Sequence, residues 1–572
     1  VEGASVEALA RDARTQTAGL TLRQYDADTS DTATPSITGN VRLGSGADTV
    51  RLEAGALNGD LFFGDGDDNF VLRNANFGGA LSDTDGRLTI DAENATLTLN
   101  SGSALNLTSA RFGTGAALDV LISTGADPDT AFLAASDTIS FESGSELSVS
   151  LQNLISADQT FQILTAGDLQ IDTADGNLTA TDAPYLYNAS VVRPAADPNS
   201  LVLSLERKTA GELGMDANQA RAYDPAFQAV LAVEELGAAF ASLRNSTDFF
   251  AAYDQLLPEY AASAIQFALA SNDAAQGALG TRLQNARLSP DELAGVWVQE
   301  FGYYADRSGS ALGPGYRGEG IGLALGIDRP MGPFYAVGFN VVGAASEIES
   351  VGGFDDPMVA LTGQLGTYAA LDLGGWDVSG SAALGYDRFE TERNIIVGSF
   401  SATSTAEWSG WHVTASSSVG RDFLIAENWI LRPEANLTYM SLFESGYTES
   451  TTSSGNNPLG LIVDDRESST LTAAATLSLA RRFGTDTSWW APSVRVGYRG
   501  DLLNGDAETT ARFGESGSPF TLQGAELAGS GGLVGLGLSA GSNYSTFTFA
   551  YDADVREDFI RHVARLIIRL TF

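Results

Sequence analysis

The sequence predicts a mainly β chain: a right-handed parallel β-helix, an α-helical linker, and a 12-stranded antiparallel transmembrane β-barrel. Three observations predict it. Glycine-led turns recur 20 positions apart near the N-terminus, at Gly44-Ser45-Gly46-Ala47-Asp48-Thr49-Val50 and Gly64-Asp65-Gly66-Asp67-Asp68-Asn69-Phe70. An Ala-rich stretch with helical spacing follows. From about residue 292 to the end, apolar residues alternate with small or polar ones in long runs.

Composition sets the limits. A chain of 572 residues suggests two or three domains. The net charge of −40, from 72 acidic and 32 basic residues, argues against nucleic acid or anionic lipid headgroups as the main partner, since both need a basic face. Lys208 is the single lysine. With no cysteine, disulfide frameworks, zinc-thiolate sites and cysteine nucleophiles are excluded. No run approaches the ~18 apolar residues of a transmembrane helix. Barrel strands escape that test because only one face of each is apolar. The start, Val1-Glu2-Gly3, is not a signal peptide, so an exported protein is expected to be processed, truncated or a fragment here.

Coils are expected over residues 1–146. Short strands such as Thr49–Leu52, Phe70–Leu72, Leu88–Ile90, Leu97–Leu99, Leu105–Leu107 and Leu118–Val120 are flanked by turn residues, and a period near 20 is about one coil of a β-helix. The turns match part of a calcium-binding nonapeptide. That motif shares each ion between tandem copies, and here the copies stand a coil apart without the leading Gly, so Asp48 and Asp68 are expected to bond their own backbone rather than calcium. Residues 147–210 carry longer strands punctuated by Pro184, Pro194 and Pro198, as in a cap closing the solenoid's end.

Residues 211–288 form the linker. Asp224-Pro225 reads as a helix start, and Ser246 or Thr247 as the cap of a second helix. A third stretch, Glu259 to about Leu288, is so rich in Ala and Gly that it is thin enough to thread a barrel of a dozen strands.

Residues 289–572 are the barrel. Twelve runs are expected, near 293–304, 318–329, 333–346, 359–373, 375–391, 405–423, 427–443, 468–484, 488–503, 531–540, 543–555 and 560–572. They exceed ordinary strands in length, one face is apolar and the other polar or charged, and aromatics (Trp376, Trp411, Trp429, Trp489, Trp490, Tyr439, Tyr498) sit near run ends like interface girdles. Tyr335, Val337, Phe339 and Val341 share one face. Arg432 and Glu434 face the lumen, as do Arg561, Arg565 and Arg569, whose partners are expected among lumenal acids such as Glu434 or Asp552, or on the threaded helix. An even count puts both barrel ends on one side, with outer-membrane lipid around a monomeric barrel.

Ala294-Gly295-Val296-Trp297-Val298-Gln299-Glu300-Phe301-Gly302, Leu431-Arg432-Pro433-Glu434-Ala435-Asn436-Leu437-Thr438-Tyr439, Leu533-Val534-Gly535-Leu536-Gly537-Leu538 and the terminal Arg569-Leu570-Thr571-Phe572 resemble barrel strands of the classical autotransporters (type Va secretion). Leu203 to Ala222 resembles the junction after their autochaperone region. The resemblance covers about 150–572. It implies an outer-membrane anchor in a Gram-negative bacterium, a helix-filled pore and an exposed passenger. It implies a terminal strand (Leu566, Ile568, Leu570, Phe572) read by the barrel-assembly machinery, periplasmic chaperones on the way, and an extracellular ligand of unknown identity. Some members cut themselves at an Asn-Asn pair in the pore helix. That pair is missing here, so self-cleavage is not expected; Asn272-Asp273 and Asn285 stand nearest, with Asp291 or Glu300 as acids that could activate one, and all are read as solvated or hydrogen-bonded polar residues.

No enzyme is expected. The two histidines, His412 and His562, both fall in barrel runs, so a Ser-His-Asp triad cannot form in the β-helix from this chain, and a histidine metal site is not expected. His412 is expected to line the lumen and His562 to sit near an interface. Three readings follow: display of an adhesive or structural passenger, a pore plugged by its helix, and display of an enzyme encoded upstream.

Overall fold

A computed structural model of the chain describes residues 9–27, 34–100, 104–172, 178–258, 262–288, 295–309, 315–351, 356–452, 457–485, 487–504, 508–524, 529–542 and 544–570. They fall into two compact units. One comprises Val1–Gly214, Val230–Ala252 and Val397–Phe400; the other comprises Met215–Ala229, Tyr253–Ile396 and Ser401–Phe572.

The first unit is a stack of coils whose strands form three parallel sheets, of four, seven and seven strands. Val50, Phe70, Ile90, Ala110, Ile139 and Leu169 lie side by side on successive coils, all buried. Leu57, Phe77, Leu97, Leu118 and Leu147 do the same on another face. Each coil thus covers the apolar row of the last, and each Val, Leu, Ile or Phe in it stabilises by roughly 1.5–3 kcal/mol. Phe112 stacks on Phe141 with centroids 4.8 Å apart. One corner of five successive coils takes a left-handed residue. Gly55, Asn74, Asn94, Gly115 and Gly144 fill it in turn, with φ between 48° and 85°.

The repeat is 20 residues where Thr49, Asn69, Thr89 and Ser109 align, and it lengthens further on, where Ala110 pairs with Ile139 and Ile139 with Leu169. Parallel pairing continues to Ala180–Thr181. Antiparallel strands Gln159–Thr165, Ser200–Arg207 and Tyr187–Val192 then change the pattern.

Asp48 and Asp68 occupy matching turns, but they do not bond their own backbone. Asp48 Oδ1 accepts the Leu20 N–H at 2.7 Å, and Asp68 Oδ1 accepts the Asp48 N–H at 2.6 Å. Each carboxylate therefore ties its coil to the one before, because stacking brings the preceding coil's amide nearer than any local one.

Among the described residues, five helices follow the coil strands in the chain: α1 (Ala210–Leu213), α2 (Ala217–Leu231), α3 (Glu234–Ala241), α4 (Ser246–Asp254) and α5 (Ala262–Leu288). Thr209 and Glu212 form a capping box on α1. Helix α2 begins before Asp224-Pro225: Asp216 Oδ1 accepts the N–H groups of Asn218 and Gln219, both at 2.8 Å, and Pro225 sits inside the helix. The earlier carboxylate satisfies the free amides first, so the later signal is overridden. Asn245, not Ser246 or Thr247, accepts the Asp248 N–H at 2.9 Å.

The second unit is a closed barrel. Its strands are β1 (Gly295–Arg307), β2 (Tyr316–Met331), β3 (Phe334–Ser350), β4 (Asp356–Leu373), β5 (Trp376–Val397), β6 (Phe400–Arg421), β7 (Trp429–Glu444), β8 (Arg466–Arg481), β9 (Ser488–Asn504), β10 (Gly531–Ser542), β11 (Ser545–Arg556) and β12 (Phe559–Leu570). Neighbours pair in order, and β12 returns to β1 from Val296↔Leu570 to Arg307↔Phe559. Ile321, Leu323 and Ile327 on β2, Leu361 and Leu365 on β4, and Val494 and Val496 on β9 are exposed outside, whereas Gln364, Asp387, His412 and Arg432 are buried within. This inversion of a soluble core fits lipid outside and a polar lumen. Short turns close one end. At the other, Tyr447–Thr448, Leu461–Val463, Glu508–Phe513 and Phe520–Gln523 fold into a small antiparallel sheet.

One face assignment is corrected. Tyr335 turns inward, its hydroxyl 2.5 Å from Asp377, because the register slips between Phe334 and Ala336. Trp489 is opposite in parity to the exposed Trp490, Val494 and Val496, and packs on Gly541.

Burial and the charges of Asp48, Asp83 and Asp85 push the Asp68 carboxyl up to about 6. A raised carboxyl pKa stabilises the fold below the unfolded value and loses that contribution as pH rises through 6. Hydrogen exchange of residues 49–52 and 69–73, corrected for intrinsic rates, is predicted to slow between pH 7 and pH 5. Asp68→Asn keeps the acceptor and is predicted to remove most of that dependence.

Candidate translocation pore

Helix α5 has no long apolar face. Ala270, Ala274, Ala275, Ala278, Leu279 and Leu283 instead pack closely on one wall, built from Trp297, Phe301 and Tyr303 of β1, Ala324 of β2, Val342 of β3, Tyr368 of β4 and Val563 of β12. The wall has room for its rings because glycines face them across the strands: Trp297↔Gly326, Phe301↔Gly322, Tyr303↔Gly320 and Tyr368↔Gly338. A Cβ at Gly326 would come within 2.3 Å of the Trp297 ring. Gly277 serves the same end on the helix, where a Cβ would lie 2.1 Å from Arg565 Nη1.

Two ionic clamps fix the helix. Arg282 donates to both oxygens of Asp328 at 2.8 and 2.5 Å, and both side chains are 4% exposed. Tyr368 donates its hydroxyl to the same carboxylate at 2.7 Å and accepts the Trp297 indole N–H at 2.8 Å. Farther along, Asp273 accepts from Arg499 and, at 2.5 Å, from Arg561. Ser381 donates to Gln276 at 3.0 Å. These charges are out of water, so each pair depends on complete partnering.

Across the lumen lies a cavity of about 300 Å³, lined by Ser379, Ser416, Ser418, Thr476, Ser493 and Ser539 among others. The helix therefore lies off-centre, leaving a hydroxyl-lined space beside it.

The lumenal residues named from sequence fall as follows. Arg432 bonds Asp377 at 2.6 Å, Glu434 at 2.8 Å and Asp422 at 3.1 Å. Arg565 pairs with Asp552, and Arg561 with Asp273 and Asp554. Leu566 and Ile568 are exposed on the outer face of β12. The side chains of Arg569, Leu570 and Asn285, and all of Asp291 and Phe572, lie outside the described residues. Asn272 is buried in α5, with no protein group bonding its amide. His412 is fully buried, Nδ1 2.5 Å from Asp387; His562 faces outward between Tyr304 and Tyr551. The Arg282–Asp328 clamp was missed; two opposite charges set in Ala-rich and apolar surroundings were its only signal.

Just after α4, Arg393 donates to the Gln255 and Leu256 carbonyls at 2.9 and 3.3 Å and pairs with Glu449 at 2.5 Å. The Gln255 side chain accepts the Ile396 N–H at 2.6 Å. The barrel mouth thus grips the chain that leads to α5.

Removing one partner of a buried pair costs about 3–5 kcal/mol. Arg282→Ala is predicted to lower the temperature at which the folded barrel loses its fast gel mobility, and Arg282→Met with Asp328→Asn to recover most of the loss.

Residues 296–554 match the family model described as the autotransporter beta-domain. Among solved structures, the translocator domain of the autotransporter NalP from Neisseria meningitidis is similar at 15% identity, covering 53% of this chain and 98% of that one, with a TM-score of 0.40. The β-domain of the Bordetella autotransporter BrkA gives 17% identity, 49% and 100% coverage and a TM-score of 0.37. No curated relative matches the chain. With the family match over residues 296–554, a closed 12-stranded barrel and a helix held in its lumen, this part of the chain is an autotransporter β-domain, an outer-membrane translocator that exports a passenger.

Proposed function

We propose that the barrel anchors the chain while the N-terminal coils stand outside the cell as an adhesive or structural passenger, and that α5 closes the pore once export is complete. The observation that carries this reading is the double clamp on α5, through Asp273 and Arg282. We place the passenger coils at 1–146, an autochaperone-like cap at 147–210, the linker and pore helix at 211–288 and the translocator at 289–572. The antiparallel strands after Gln159 support a cap.

A non-enzymatic passenger is supported by the location of both histidines in the barrel. No calcium is invoked, since one oxygen of both Asp48 and Asp68 already holds a backbone amide. Leu566 and Ile568, exposed on the closing strand, support recognition of the last strand by the barrel-assembly machinery, a signal we extend in sequence alone to Leu570 and Phe572, with periplasmic chaperones acting earlier. A closed sheet leaves no strand edge to pair, which supports a monomeric barrel. A second reading, a conducting pore with a partial plug, is favoured by the cavity beside α5.

Protease added to intact cells is expected to release peptides from about 1–205 and spare 295–570 except at long loops. Protection of both parts until lysis overturns surface display. In planar bilayers the whole chain is expected to stay mostly closed, and a variant lacking 262–288 to conduct steadily. Equal conductance by both favours the pore reading.

A further inference from the structure

The barrel's outer face is electrically uneven. Near the long-loop end, its outward arginines are paired: Arg317 lies 3.3 Å from Asp306, and Arg388 lies 2.6 Å from Glu407 and 3.3 Å from Glu390. At the short-turn end, Arg421 closes β6 and Arg481 closes β8, and among the described residues neither has a carboxylate within ion-pairing distance. Both share the outward parity of exposed neighbours, Val419 on β6 and Leu477 on β8.

Each guanidinium lies between two aromatic rings. Arg421 is 5.5 Å from the Trp376 ring and 5.3 Å from that of Phe423. Arg481 is 5.2 Å from Trp429 and 4.6 Å from Phe483, and Phe483 stacks in turn on Trp490 at 4.4 Å. The sequence builds the arrangement twice, with Arg421-Asp422-Phe423 and Arg481-Arg482-Phe483 each closing a strand beside a tryptophan that opens the preceding one. Stacking fixes the guanidinium plane and leaves its edge of donors open, the geometry that receives a phosphate in two parallel bonds. Exposed Phe423, Leu424 and Ile425 continue the apolar surface beside it.

We propose that Arg421 and Arg481 are two phospholipid-headgroup sites, which take the phosphates of the leaflet at the periplasmic rim. The proposal rests on the barrel's outer-membrane placement. The chain's net charge of −40 argues against a broadly basic lipid-binding face, and the sites are local exceptions to it. Asp422 does not cancel Arg421, because it bonds the inward Arg432 at 3.1 Å.

The test is native mass spectrometry of the whole chain, purified from membranes in mild detergent, with phospholipid retention counted. Arg421→Gln with Arg481→Gln is expected to retain roughly tenfold less phospholipid while keeping folded-barrel gel mobility, each arginine contributing a modest share. Arg317→Gln with Arg388→Gln, equal in charge change, is expected to retain as much as the unmodified chain. Equal retention by the first variant overturns the proposal. So does an equal loss in both, which would mark a net-charge effect without sites. Loss of the folded form by the first variant moves the readout to exchange. The unmodified chain is then titrated with phosphatidylglycerol in micelles, where tryptophan emission is expected to saturate; no change overturns the proposal.

Discussion

Everything in the second unit depends on one ladder, the antiparallel pairing of β12 with β1. A sheet of twelve strands has two open edges, and in a bilayer each unpaired amide or carbonyl costs several kcal/mol. Joining last strand to first removes both edges together. The lumen then has a fixed perimeter, and what fills it follows from the side chains that alternation turns inward.

Those inward side chains solve two problems. The wall beside α5 combines large rings with facing glycines, so surface is complementary without widening the barrel. Charges brought inside are matched locally: Arg282 with Asp328, Arg499 and Arg561 with Asp273, and Arg432 with three carboxylates. Such pairs add little net stability over apolar packing. Their value is positional, since a helix as rich in alanine and glycine as α5 has too little shape to find one seat by packing alone.

Much of this was legible in the sequence, and the illegible parts share a cause. Alternation located twelve strands because the side-chain period of two repeats over long runs. The turns at Asp48 and Asp68 showed the coil period because the same chemistry recurs at the same corner. Alternation cannot register a slip, so Tyr335 fell on the wrong face. Local helix signals compete, and Asp216 outbid Asp224. Pairings such as Asp273 with Arg561 join residues 288 apart in the chain, and no local pattern encodes them. The lengthening of coils beyond Ser109 was equally hidden, because the later turns only weakly echo the first two.

The hydroxyl-lined side of the lumen carries one further consequence. A polypeptide sliding past Ser379, Ser416, Ser418, Thr476, Ser493 and Ser539 meets short groups that donate and accept equally well and that exchange bonds with water at little net gain. Arg432, Glu434, Arg495 and Arg499 share that lining. A passing chain therefore meets weak, exchangeable hydroxyl contacts in some places and charged groups in others.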